Sequence, residues 1–106
     1  MILTAGYNIY PAEIERVVSS HPAVAMVGVG GKADAEKGEI AKAYVVLKPD
    51  GQATPDDIRQ HCRDHLAAYR VPREVQIVPD LPTTSTGKIL RRELHTLDDA
   101  DQAAAG

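Results

Sequence analysis

The apolar positions of the chain fall into short groups with two different periods. Ile14, Val17 and Val18 are spaced i, i+3 and i+4 behind Pro11. Proline costs nothing at a first helical position, and Glu13 and Glu15 suit the positive end of a helix dipole. The spacing predicts a helix from Pro11 that His21-Pro22 stops. Residues 23–29 are an apolar, valine-rich run, which reads as a central strand buried on both faces. Gly28, Gly30 and Gly31 loosen its exit into a polar loop over residues 32–38. Residues 40–47 alternate, with Ala41, Ala43, Val45 and Leu47 on one side and Lys42, Tyr44 and Val46 on the other. A turn at Pro49-Asp50-Gly51 follows this second strand.

Thr54-Pro55-Asp56-Asp57 opens a second helix, with a capping threonine and acids behind a proline. Its buried stripe is predicted as Ile58, Cys62, Leu66 and Tyr69, and Val71-Pro72 closes it. Residues 75–78 read as a short strand. Residues 81–87 are turn formers and hydroxyls, and a last short helix is expected from about Lys88, carrying Ile89, Leu90 and Leu94. With an extended lead at residues 1–3, the order is αββαβ plus a closing helix. This is an α+β fold, a small mixed sheet flanked by helices.

Length and composition narrow the function. The 106 residues suit one domain. A core of that size leaves room only for a shallow site. Phe and Trp are absent and four tyrosines are the only aromatics, so the core is aliphatic. No apolar run approaches the length of a membrane span, and Met1 opens no signal peptide. The lone Cys62 fits a reducing cytoplasm. A net charge of −3 makes a poor generic nucleic-acid binder. Residues 98–106 are acidic and alanine-rich, a flexible tail behind a domain spanning 1–97. The apolar start at Met1 suggests a domain cut from something larger.

Three features could carry chemistry. Thr83-Thr84-Ser85-Thr86-Gly87-Lys88 resembles a phosphate cradle, but Pro82 and Ile89 stand where a P-loop needs glycine and a hydroxyl. The plain alternative is a solvated linker with a surface lysine. His61 and His65 have the i, i+4 spacing of a zinc pair, with His95 or Asp64 as conceivable third ligands. Cys62 stands where the metalloprotease pattern wants glutamate, so a solvated helix edge is favoured and no metal is expected. Ala5-Gly6-Tyr7-Asn8 predicts a tight bend, since Gly6 and Asn8 tolerate unusual backbone angles.

Residues 1–15, MILTAGYNIYPAEIE, resemble the motif opening the C-terminal domain of the adenylate-forming enzymes. That superfamily includes acyl-CoA synthetases, nonribosomal-peptide adenylation domains and firefly luciferase. Residues 81–94, LPTTSTGKILRREL, resemble the motif that closes the same domain. His21-Pro22-Ala23-Val24, Gly38-Glu39 and Tyr69-Arg70-Val71-Pro72 fall between them in the family's order.

The resemblance implies a mobile lid over a large N-terminal domain, in an ATP-dependent acid–CoA ligase acting on a fatty or other carboxylic acid. Lys88 would be the adenylation lysine, carried by Thr84, Ser85, Thr86 and Gly87. Ala5, Gly6, Tyr7 and Asn8 would face the CoA channel in the thiolation step; Ala5 stands where relatives often have a first glycine. The hinge should lie just before Met1. ATP, Mg2+ and CoA would serve the full-length enzyme, with none bound stably by this domain alone, which is expected to be inactive. Lys88 would also be a candidate acetylation site for a protein lysine acetyltransferase. The alternatives are a peptide-synthetase adenylation domain, or a small α/β RNA-binding module using Gly28-Val29-Gly30-Gly31 as a backbone clamp.

Overall fold

The computed structural model describes residues 1–98. A hairpin of β1 (Ile2–Thr4) and β2 (Tyr7–Ile9) leads into helix α1 (Pro11–Ser19). Strands β3 (Val24–Asp34) and β4 (Gly38–Leu47) follow, then helix α2 (Pro55–His65) and strand β5 (Glu74–Ile77). Short 3-10 turns occupy Ala68–Arg70 and Arg91–Glu93. The sheet runs β2-β1-β4-β3, and β5 joins β4. It is mixed: β3 and β4 pair antiparallel (Val29 opposite Ala43), while β5 runs parallel to β4 (Ile77 beside Val45).

The alternation along β4 divides the interior in two. Ala41, Ala43 and Val45 face α1 and α2 and pack with Ile14, Val18, Ile58 and Cys62. Tyr44 points the other way, into a second cluster with Val78, Leu81 and Leu94, against which Val46, Ile89 and Leu97 pack. Residues 89–98 cross this second face as an irregular strap. Thr54 caps α2 in a reciprocal box with Asp57, its hydroxyl accepting from the Asp57 amide at 3.1 Å.

Several elements differ from the sequence expectation. The first strand is not central: β3 is an edge strand, and it continues through the predicted loop to Asp34. The loop shrinks to a tight connection in which the Asp34 carboxylate accepts from the Glu36 and Lys37 amides. Tyr69 leaves the buried stripe, because α2 ends at His65 and Leu66 is extended; the ring is 37% exposed and stacks on Tyr7. No helix starts at Lys88. Gly87 has φ of +87°, and the Lys88 carbonyl accepts from the Thr84 amide at 2.7 Å, so a hairpin uses the carbonyl that a helix starting there would offer to its next turn.

The tail predicted for 98–106 begins on a residue that is held. The Asp98 carboxylate accepts from Lys42 Nζ at 2.5 Å and from the Tyr44 hydroxyl at 2.8 Å. Residues 99–106 lie outside the described residues. Among those described, no helix is long and apolar enough to cross a membrane.

Candidate functional site

The Ala5–Gly6 bend is a two-residue hairpin turn. Both residues have positive φ (48° and 85°), the geometry whose twist matches the paired strands on either side. Asn8 needs no such freedom and lies in β2 opposite Leu3. The Ala5 amide donates to the Lys37 carbonyl at 3.0 Å, fixing the turn against the β3–β4 connection. A side chain built at Gly6 would meet nothing within 4 Å. The glycine is therefore demanded by backbone conformation, and the surface over it is open.

Beside this turn lies a cleft of about 340 Å³ on the helix side of the sheet. Its floor includes Ala41 and Pro72, and its walls include Tyr7 and Tyr69, whose rings stack at 4.6 Å. Lys37, Arg59, Arg63 and Arg73 also line it. The Arg59 Nε is buried with no hydrogen-bond partner among the described residues. Arg70 holds the tyrosine wall: its Nε donates to the Tyr69 hydroxyl at 2.9 Å and its Nη1 to Glu13 at 2.5 Å. The sequence reading missed these cations. Arg59 and Arg63 at i, i+4 on a predicted helix were a usable signal, whereas Lys37 and Arg73 reach the cleft only through the fold.

Lys88 sits at a second, separate place. Thr83 and Ile89 form a β-bridge, and between them the Thr84 amide donates to the Lys88 carbonyl at 2.7 Å. The Gly87 amide donates to the Thr84 carbonyl at 2.9 Å, and the Thr84 and Thr86 hydroxyls are 2.9 Å apart. The loop is thus an ordered hairpin, not a solvated linker. Leu81 and Ile89 root it in the Tyr44 cluster, while Lys88 itself is exposed and its ammonium has no partner among the described residues.

The two loops therefore belong to opposite faces of one sheet. The turn of Ala5, Gly6 and Tyr7 borders the helix-side cleft with Ala41. The Thr84, Ser85, Thr86, Gly87 and Lys88 hairpin stands over the Tyr44 side.

A domain of this architecture and these two motifs can be set beside known proteins. A model for the AMP-binding enzyme C-terminal domain matches residues 13–88. The chain belongs to that family. The domain is 46% identical over 94 residues to a long-chain-fatty-acid–CoA ligase of Yersinia pestis, covering 89% of this chain and 16% of that protein. It is 43% identical over 97 residues to a 2-succinylbenzoate–CoA ligase of Bacillus cereus strain Q1, covering 92% and 20%. The structure of a Mycobacterium tuberculosis fatty acyl CoA synthetase superposes with TM-score 0.87 at 39% identity, covering 95% of this chain and 20% of that one. The domain thus spans about a fifth of the length of the relatives it matches.

The remaining sequence candidates have structural employment. His61 is half-buried rather than on a solvated edge, its Nε2 lying 2.8 Å from Ser20 Oγ and 3.1 Å from the Val17 carbonyl, which ties α2 to the end of α1. His65 Nδ1 meets the His61 carbonyl, His95 Nδ1 the Arg92 carbonyl, and Asp64 accepts from Gln60. Among the described residues, no group of three or more His, Cys, Asp or Glu is placed to hold a metal. The Gly28-Val29-Gly30-Gly31 run is no backbone clamp. It lies inside β3, where a Cβ on Gly28 would stand 3.0 Å from Ile89 and 3.1 Å from Leu94. Gly28 and Gly30 make the notch that seats the strap.

Proposed function

We propose that this domain serves an ATP-dependent, AMP-forming acid–CoA ligase, presenting a different surface in each half-reaction. One observation carries the reading: the two candidate loops are fixed on opposite faces of the same sheet. A single active site can meet only one of them at a time. Serving both steps requires the domain to turn over against a larger partner, the N-terminal part of the same enzyme. Two-step chemistry is supported by a similar solved structure, an o-succinylbenzoate CoA synthetase from Bacillus subtilis in complex with its acyl-adenylate intermediate.

In the first step a carboxylate oxygen attacks the α-phosphorus of ATP and pyrophosphate leaves. Lys88 supplies a point cation between the two approaching anions; its flexible stem stands on a preorganised hairpin, so little order is lost on engagement. In the second step the thiol sulfur attacks the acyl carbonyl and AMP leaves. The Ala5–Gly6 turn leaves an open surface for a close approach, with Tyr7 and Asn8 flanking it. The cleft beside it, with four cations and the unpartnered Arg59 Nε, suits a polyanionic nucleotide end such as that of CoA. This favours CoA over a protein-borne thiol. Mg2+ would neutralise the ATP phosphates in the complete enzyme, held outside this domain. We place the enzyme in the cytoplasm and its substrate among carboxylic acids of the fatty-acid kind.

The test is Lys88→Ala in the full-length enzyme that carries this chain. Pyrophosphate release should fall about 10²–10³-fold, while thioester formation from supplied acyl-adenylate persists. Equal loss in both half-reactions would refute the assignment. We also propose Lys88 as an acetylation site, because its side chain is exposed beside the hairpin turn and its ammonium has no partner among the described residues. Acetylation would neutralise the charge and stop the first step. Incubation with a lysine acetyltransferase and acetyl-CoA should modify Lys88 ahead of Lys37 and Lys48, and uniform labelling of all three would dismiss the idea.

A further inference from the structure

We propose that Glu15 is a positioning residue for Lys88. Glu15 lies on α1, where the sequence suggests only a favourable charge near a helix N-terminus. In the fold it does something else. One carboxylate oxygen accepts from the Val29 amide of β3 at 2.9 Å, and the same oxygen takes the Arg91 Nε at 3.0 Å. The other oxygen takes Arg91 Nη2 at 2.5 Å. The Glu15 side chain is 16% exposed and that of Arg91 50%, so the fork is anchored on its carboxylate side and open to water on its arginine side.

The geometry explains why the contact reaches Lys88. β3 is an edge strand, and the Val29 amide points off the sheet rather than into the ladder. Glu15 satisfies that amide and so blunts the edge. In doing so it passes around the edge, joining α1 on one face to Arg91 on the other. Arg91 is three residues beyond Lys88 and opens the 3-10 turn of the strap. Between the two, Ile89 is wedged against Gly28 beside Leu94, and the Leu90 amide donates to the Pro82 carbonyl at 2.9 Å. Both legs of the Lys88 hairpin are thereby rooted within a few residues of the fork. Packing of Ile89 and Leu94 sets how deep the strap sits. The Glu15–Arg91 fork sets where along the β3 edge it lies, and hence where the Lys88 stem emerges.

The structural half of the proposal stands by itself; its catalytic half rests on the role of Lys88 proposed above. The first test measures hydrogen exchange by NMR in the 106-residue chain. Glu15→Gln keeps an acceptor for the Val29 amide and removes the charged fork. Protection of the Thr84, Gly87 and Leu90 amides should fall about tenfold, with the β4 amides that pair β3 unchanged. Arg91→Ala should do the same, and the double variant should be no worse than either single one. Unchanged hairpin amides, a uniform loss across hairpin and sheet, or additive effects of the two substitutions would each overturn the proposal. In the full-length enzyme, Glu15→Gln should slow adenylation about tenfold and leave thiolation of supplied acyl-adenylate untouched. If adenylation survives Glu15→Gln but not Lys88→Ala, Glu15 has no positioning role. If it survives both, the role of Lys88 falls and takes the catalytic half with it.

Discussion

Replacing Asp98 by alanine should destabilise the domain far more than its place at the end of the described chain suggests. Lys42 is the charged side chain that the fold buries most deeply among the described residues, at 5% exposure, in the middle of β4. Its ammonium meets Asp98 Oδ1 at 2.5 Å and lies 4.9 Å from the Tyr44 ring centroid. Without Asp98 the cation keeps, among the described residues, the Tyr44 ring face, and the Tyr44 hydroxyl loses its acceptor. Breaking a fully buried pair costs about 3–5 kcal/mol because one charge is left uncompensated. The Asp98 side chain is 19% exposed, so water reaches the vacated position, and the lysine stem can bend toward it. The expected loss is therefore about 2–3 kcal/mol. In urea unfolding the midpoint should fall with the slope unchanged, and in a chain of this size the thermal midpoint should drop by roughly 10–20 °C. The paired variant Lys42→Met with Asp98→Leu, which removes both charges, should recover most of the loss. A cost below about 0.5 kcal/mol for Asp98→Ala, or no recovery in the paired variant, would refute the argument that an uncompensated charge is what destabilises.

Acid should act on the same contact. Burial pushes the Asp98 carboxyl up, but hydrogen bonds from Lys42 and Tyr44 outweigh it and hold the carboxyl below its ordinary range. A depressed folded value means the stabilisation is complete above the unfolded value near 3.9 and is lost as pH falls below it, a loss that Asp98→Asn should remove from the acid limb of a stability–pH curve. His61 has the opposite chemistry with the same sign: burial first, then the neighbouring His65, lowers its value. Stability should decline as pH falls from about 7 through the unfolded value near 6.5, and His61→Gln should flatten that decline in urea titrations. Ala5→Gly should stabilise the domain by about 1 kcal/mol in thermal unfolding, since alanine at φ 48° carries a strain that glycine does not. Gly28→Val should cost about 1–3 kcal/mol, because the Cβ alone already crowds Ile89 and Leu94; an unchanged midpoint would show the strap to be loosely seated.

The two helices, the β4 strand with its two faces, and the position of both candidate loops were legible in the linear chain. Their causes are local. Proline and acids open α1 and α2, the capping box at Thr54 needs only four consecutive residues, and the period of two along β4 sorts Ala43 from Tyr44 without reference to anything distant. The motifs at residues 5–8 and 83–88 are likewise made of adjacent residues. What the chain alone did not disclose depends on partners far along it. Tyr69 looked like core because helical spacing continues past His65, but its ring is taken by Tyr7, on a strand far earlier in the chain. Glu15 looked like a helix-dipole charge because Arg91 and the edge amide of Val29 come near it only after the sheet forms. Asp98 looked like the start of a tail because acidic, alanine-rich sequence has nothing apolar to bury; its partner is a lysine 56 positions away that no pattern marks as buried. Local periodicity reports how a segment turns its faces. Which charge meets which, and on which side of the sheet each loop stands, follows from strand order, and strand order exists only in the folded molecule.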